Sequence, residues 1–157
     1  MVRISSSVEY GMRLMVRLAR SGGRAPTSAE VLSVSENIPK DYVDQILRRL
    51  RQAGLISSSR GPAGGYALSR ATKEIRVGDV ARALEHAVFE TVCERYSEKD
   101  HDCRHQGMCG VRPLWRRLGT IVEGFLDGIT LDQILKEEEA VVENLFKSPG
   151  AGKAQRG

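Results

Sequence analysis

Residues 39–69 read PKDYVDQILRRLRQAGLISSSRGPAGGYALS, from Pro39 to Ser69, and the reading of this stretch decides the fold. Val43, Ile46, Leu47 and Leu50 stand at i, i+3, i+4 and i+7, the spacing of one buried helical face. Pro39 suits the first turn of that helix, where its fixed φ helps and its missing N–H breaks no intrahelical bond. Gly54 supplies a left-handed cap after Ala53. The opposite side is polar, with Asp41, Gln45, Arg48 and Gln52 flanked by Lys40, Asp44 and Arg49. Two short strand-like runs follow, 55–60 and 66–69, joined by Gly61-Pro62-Ala63-Gly64-Gly65, whose glycines permit positive φ. A hairpin directly behind a helix with a hydrogen-bonding outer face reads as a wing behind a recognition helix.

Upstream, Val8, Gly11, Met12, Met15, Leu18 and Ala19 recur at helical spacing, predicting an amphipathic helix from Ser7 to Arg20 that ends at Gly22-Gly23. Thr27-Ser28-Ala29-Glu30 reads as a capping box, with Thr27 accepting from the backbone and Glu30 reaching back. It opens a short helix that carries Val31 and Leu32 inward and stops near Asn37. Two short helices joined by a tight turn form a helix-turn-helix. Downstream, Val77, Val80, Ala81 and Leu84 mark a short helix that closes this unit. Val111, Leu114, Trp115, Leu118, Ile121, Val122 and Phe125 then form a longer apolar seam, close to a heptad repeat, suited to packing against a helix of a second subunit. Gly128 ends it, and Thr130-Leu131-Asp132-Gln133 opens a last short helix containing Ile134 and Leu135. Residues 147–157 have nothing to bury and are expected to be disordered.

The fold class is therefore mainly α with a small β-hairpin wing, a winged helix-turn-helix followed by a long dimerisation helix. The expected divisions are 1–85 for the winged helix-turn-helix, 86–110 for a cysteine-rich loop, 111–146 for the dimerisation helix and a short C-terminal helix, and 147–157 for the tail.

At 157 residues with 41% hydrophobic content, the chain is long enough for one domain with a real core. No apolar run approaches the roughly 18 to 20 residues that span a bilayer, and the first residues lack the apolar stretch of a secretory signal, so a cytoplasmic protein without a membrane partner is expected. The net charge of +4 is unevenly shared. Residues 1–82 hold 14 Lys and Arg against 7 Asp and Glu, whereas 83–157 hold 10 against 13. The basic half is the candidate surface for a polyanion such as duplex DNA. No nucleophile–base constellation and no phosphate-binding loop points to an enzyme.

All three cysteines, Cys93, Cys103 and Cys109, fall in one polar window that also contains His101 and His105. Packing cysteines sit among apolar neighbours. An odd number in a chain that needs no disulfide staples suits a reduced compartment and thiolate ligands. Iron-sulfur, zinc and bare redox chemistry all fit such a set.

Tyr42 to Arg51, Gly54-Leu55-Ile56 and Arg60 to Tyr66 closely resemble the IscR/NsrR family of dimeric winged-helix transcription regulators. The resemblance continues through 75–85, the cysteine window, Leu114-Trp115, Gly124-Phe125-Leu126 and Ile129-Thr130-Leu131. It implies a homodimer whose long helices pair, with an iron-sulfur cluster, 2Fe-2S rather than 4Fe-4S, held by Cys93, Cys103 and Cys109. In IscR-like members five residues separate successive cysteines, whereas here the first gap is nine. A histidine ligand three residues beyond the last cysteine is replaced by Arg112, whose guanidinium stays protonated and cannot ligate. His101, His105 or, as in nitric-oxide-sensing relatives, Glu9 of the partner subunit stand as candidates for the fourth ligand.

The polar helix face and the wing place a helix from about Pro39 to Ala53 in the major groove, with the wing in the adjoining minor groove, and two copies imply a roughly palindromic operator. Gln45, Asp41 and Asp44 would meet base edges, with Tyr42 on the same surface. Lys40, Arg48 and Arg49 would sit on phosphates, and Arg60 would enter the minor groove. Two other classes remain open: an electron carrier that uses the winged helix as a scaffold, and a cluster-free adaptor or repressor that senses thiols, zinc or a partner protein.

Overall fold

The computed structural model describes residues 4–22, 25–85, 109–136 and 138–147. Helix α1, Ser6–Arg20, starts where the Ser5 hydroxyl accepts from the Val8 N–H at 3.3 Å. It buries Val8, Leu14, Met15 and Leu18, and it lies close to a later helix at Gly11, where a Cβ would strike the Leu84 side chain. Helix α2, Ala29–Glu36, and helix α3, Lys40–Gln52, follow. Asn37 turns the chain between them in the left-handed region at φ 52°, a conformation that asparagine tolerates better than most residues.

The start of α2 differs from the sequence reading. Its cap is Ser28, whose hydroxyl accepts from Val31 N–H at 3.2 Å, so the third helical residue is Val31 and Glu30 is in no position to close a capping box. Thr27 has another partner: its backbone pairs with Tyr66 in both directions, at 2.9 and 2.8 Å. Val31 also departs from expectation, being half exposed while Leu32 is fully buried.

The hairpin is formed by β1, Ile56–Ser59, and β2, Gly65–Leu68, antiparallel in the register Ile56 to Leu68 and Ser59 to Gly65. Gly54 at φ 71° turns the chain out of α3, and Leu55 N–H returns to the Leu50 carbonyl at 3.0 Å. The double glycine of the wing has a steric cause. A Cβ on Gly64 would meet the Ser59 carbonyl, and one on Gly65, at φ 155°, would lie 2.6 Å from the Thr27 backbone. Gly65→Ala is accordingly expected to lower stability by about 2 kcal/mol, through strained φ and loss of the Thr27–Tyr66 pairing. Urea denaturation of the variant beside the wild type measures this.

Helix α4, Val77–Leu84, packs on α1 and α3 through Val80, Ala81 and Leu84. After the undescribed stretch come α5, Val111–Asp127, α6, Leu131–Ile134, and a further helix, α7, Glu138–Lys147. The last of these is an element the sequence reading did not separate from the short C-terminal helix, and residues 148–157 lie outside the described residues. Leu131 is fully buried in the same cluster as Leu14, Leu47 and Ile75, so the C-terminal part of the chain completes the core of the N-terminal unit.

Backbone bonds fix that return, Val77 N–H to the Ile129 carbonyl at 2.9 Å and Leu131 N–H to the Ile75 carbonyl at 2.8 Å. Arg82 reaches Asp127 at 2.8 Å and Asp79 at 3.0 Å, and Arg76 donates to the Asp127 carbonyl at 3.0 Å. The hydrogen bond to Asp127 raises the Arg82 guanidinium further above its already high value. Any stability this adds is fully present below the unfolded guanidinium value and is lost only as pH rises through the folded one, far above neutrality. The contact therefore joins α4 to the end of α5 at all physiological pH values. No helix among the described residues is long and apolar enough to cross a membrane.

Candidate nucleic-acid interface

Advancing about 100° per residue divides α3 into four sectors. The innermost holds Val43, Ile46, Leu47 and Leu50, all buried. Opposite it, Asp41, Gln45, Arg48 and Gln52 form an exposed polar stripe, and among the described residues their side chains make no hydrogen bond. These are groups that can engage base edges and phosphates without first breaking a protein contact.

The two flanks are occupied. On one, Lys40 Nζ bonds Asp44 Oδ2 at 2.7 Å, and this bond holds the ammonium above its ordinary value, so Lys40 stays charged. Arg51 on the same flank donates to the Ser58 hydroxyl at 3.1 Å, bracing the wing against the helix. Arg51 was not singled out from sequence. The signal lay in its helical phase, which it shares with Lys40 and Asp44, and in the chain's passing straight from that end of the helix into β1.

On the other flank, the Tyr42 and Ser7 hydroxyls bond at 2.8 Å, and the Tyr42 ring meets Tyr10 edge-on at 5.8 Å. Arg49 donates to the Leu84 carbonyl at 2.7 Å. Tyr42 and Arg49 thus spend polar groups on α1 and α4, while Asp41, Gln45 and Arg48 face outward. Arg60 is exposed at the end of β1, beside Gly61 at φ 105°. The outer stripe of α3 and Arg60 are both exposed, and the Arg51–Ser58 bond holds the wing to the helix between them.

The expected metal ligands are divided. Cys109 is described, free and partly exposed just before α5. Glu9 is exposed in the first turn of α1. Cys93, Cys103, His101 and His105 lie outside the described residues, and among the described ones no three His, Cys, Asp or Glu side chains converge. Arg112, at the position of the expected histidine, sits in the first turn of α5. That helix exposes Val111, Leu114, Trp115, Ile121 and Phe125 at 41 to 60% of their surface, an apolar face too extensive for ordinary solvation.

A family model described as Rrf2, iron-dependent transcriptional regulator, matches residues 4–137. The chain is 31% identical over 140 residues to the HTH-type transcriptional regulator IscR of Vibrio atlanticus, covering 89% of this chain and 79% of that one. Among solved structures, it is similar to CymR, the global cysteine regulator of B. subtilis, with TM-score 0.70 and 31% identity over 86% of this chain and 97% of that one. It is also similar to T. potens IscR, with TM-score 0.67 and 31% identity over 87% and 90%.

Proposed function

This chain belongs to the Rrf2 family of transcriptional regulators, and from that membership we propose a homodimeric operator-binding protein controlled by an iron-sulfur cluster. It is a DNA-binding regulator and not an enzyme. The observation that carries the specific reading is the free polar stripe of α3 beside a braced, arginine-tipped wing. Gln45 pairs with adenine and Asp41 with the cytosine amino group, while Arg48 and Lys40 lie on phosphates and Arg60 enters the minor groove. Asp44 reads a base only after leaving Lys40. Two copies joined along the apolar face of α5 read a roughly palindromic operator with half-sites about one or two helical turns apart.

The donor set fits the proposed cluster. Three soft thiolates from one polar segment suit iron-sulfur ligation, and the described one, Cys109, is free and partly exposed rather than packed in the core. Cys93, Cys103 and Cys109 would hold it, with Glu9 of the partner subunit, His101 or His105 as fourth ligand. Such a cluster supplies a centre sensitive to iron supply, redox state or nitric oxide. This chain's own part is to tie the segment before α5 to the dimer helix, whose far end is clamped to α4 by Arg82 and Arg76. A change at Cys109 thereby reaches the winged helix through α5. The likeness to CymR favours, as a second reading, a cluster-free regulator of the same fold that is thiol-based, zinc-binding or partner-sensing.

The test is operator selection from a random duplex pool, followed by titration of the selected sequence. Gln45→Ala is expected to weaken the selected duplex by about 10-fold and relax preference at one position in each half-site, as for loss of a bidentate base contact. Unchanged affinity and unchanged selection would remove Gln45 from the interface.

A further inference from the structure

We propose that Arg49 is a positioning residue for DNA recognition, which sets the rotation of α3 by binding the C-terminal end of α4, and that it is not a phosphate contact. The inference rests on the reading above that α3 enters the major groove. Helix α4 ends at Leu84, and a helix leaves its last carbonyls without intrahelical partners. The Glu85 N–H closes on Ala81, while the Leu84 carbonyl is taken by the Arg49 guanidinium at 2.7 Å. A cation at the negative end of a helix gains from the helix dipole, and a charged donor makes a short, strong bond.

Arg49 does not act alone. Tyr42 stands seven residues earlier, two turns away on nearly the same face, and is held by Ser7 and Tyr10 of α1. One edge of the recognition helix is therefore fastened near both of its ends, to α1 and to α4. A roll of about 10° moves side-chain tips at the helix surface by roughly 1 Å. That is enough to spoil paired hydrogen bonds from Gln45. The fastening also sits where the chain leaves α4 for residues 86–108, the segment that bears Cys93 and Cys103.

A phosphate contact and a positioning contact differ in their salt dependence, because each neutralised phosphate contributes about 0.9 to the slope of log affinity against log salt. Wild type, Arg48→Met and Arg49→Met are titrated with the selected operator and with a scrambled duplex at graded salt. Arg48→Met is expected to lower the slope by about 0.9 per chain and weaken both duplexes alike. Arg49→Met is expected to keep the wild-type slope and hold scrambled-duplex affinity within about twofold, while operator affinity falls roughly tenfold. A slope lowered like that of Arg48→Met, with both duplexes weakened alike, overturns the proposal.

Arg49→Lys is the second variant. Its shorter, flexible stem can follow a phosphate but cannot reproduce the planar fork on a fixed carbonyl. Loss of operator preference at an unaltered slope is expected, and wild-type binding by this variant overturns the proposal. A third measurement needs no DNA: amide exchange at Glu85 and the last turn of α4 is expected to quicken severalfold in Arg49→Met, and unchanged exchange counts against the fastening. If the wild type itself shows no preference for any duplex, the DNA-binding reading fails, and the exchange experiment still decides what Arg49 holds.

Discussion

Ile121→Glu is expected to convert the proposed dimer to a monomer and to lower operator affinity by more than 100-fold, with scrambled-duplex affinity and its salt slope falling as well because a monomer neutralises half as many phosphates. Ile121 sits 53% exposed at the middle of an apolar face that also shows Leu114, Trp115 and Phe125. A carboxylate there puts two like charges across the two-fold axis in a desolvated contact, which costs several kcal/mol. Losing the second half-site removes the avidity of two recognition helices on one molecule, a factor of about 10² or more. The winged-helix core does not involve Ile121, so the monomer should keep its thermal transition. Sedimentation velocity reads the association state, and anisotropy titration with half-site and full-site duplexes reads the avidity. A dimeric Ile121→Glu protein with undiminished operator binding would place the dimer interface on another surface.

Cys103→Ala is expected to abolish cluster assembly, reducing iron and acid-labile sulfide from matched amounts to background, while the protein remains a folded dimer. The chain has three cysteines and no fourth to replace Cys103, and an alanine offers no lone pair. Folding should survive because the described core is built from leucine, isoleucine, valine, methionine and alanine side chains of other segments. The visible absorbance of anaerobically purified protein and its circular dichroism separate the two effects. An unchanged visible spectrum would defeat the ligand assignment, and a colourless wild type that contains zinc would favour the second reading.

Helix α3 was legible because four apolar residues at one helical phase admit no other element, and the wing because Gly64-Gly65 allows what few other residues allow. The start of α2 was not. Thr27 and Ser28 are equivalent as local caps, and the choice between them is made by Tyr66, thirty-nine residues away, whose backbone claims Thr27. The same limit applies to Arg49. On a helical wheel it is a flank cation beside the outer stripe that holds Arg48, and that phase alone does not say whether it meets a phosphate; the position of the last carbonyl of α4 separates their roles. Helix α7 was hidden by the charged run 136–139, which overlaps its first turn and obscured the phase of Val141, Val142, Leu145 and Phe146. The cysteine window was conspicuous in sequence by composition alone, because packing cysteines sit among apolar neighbours and this segment is polar.

In the proposed mechanism a site on the cysteine segment governs how two α3 helices meet DNA. The most direct test is an anisotropy titration of the selected operator with one anaerobic preparation, assayed for iron and sulfide and divided into untreated and chelator-stripped portions. Matched iron and sulfide are expected in the untreated portion, with affinities that differ by at least about tenfold, a coupling of about 1.4 kcal/mol. Equal affinities for the two portions, in protein that carried the cluster, would contradict that mechanism.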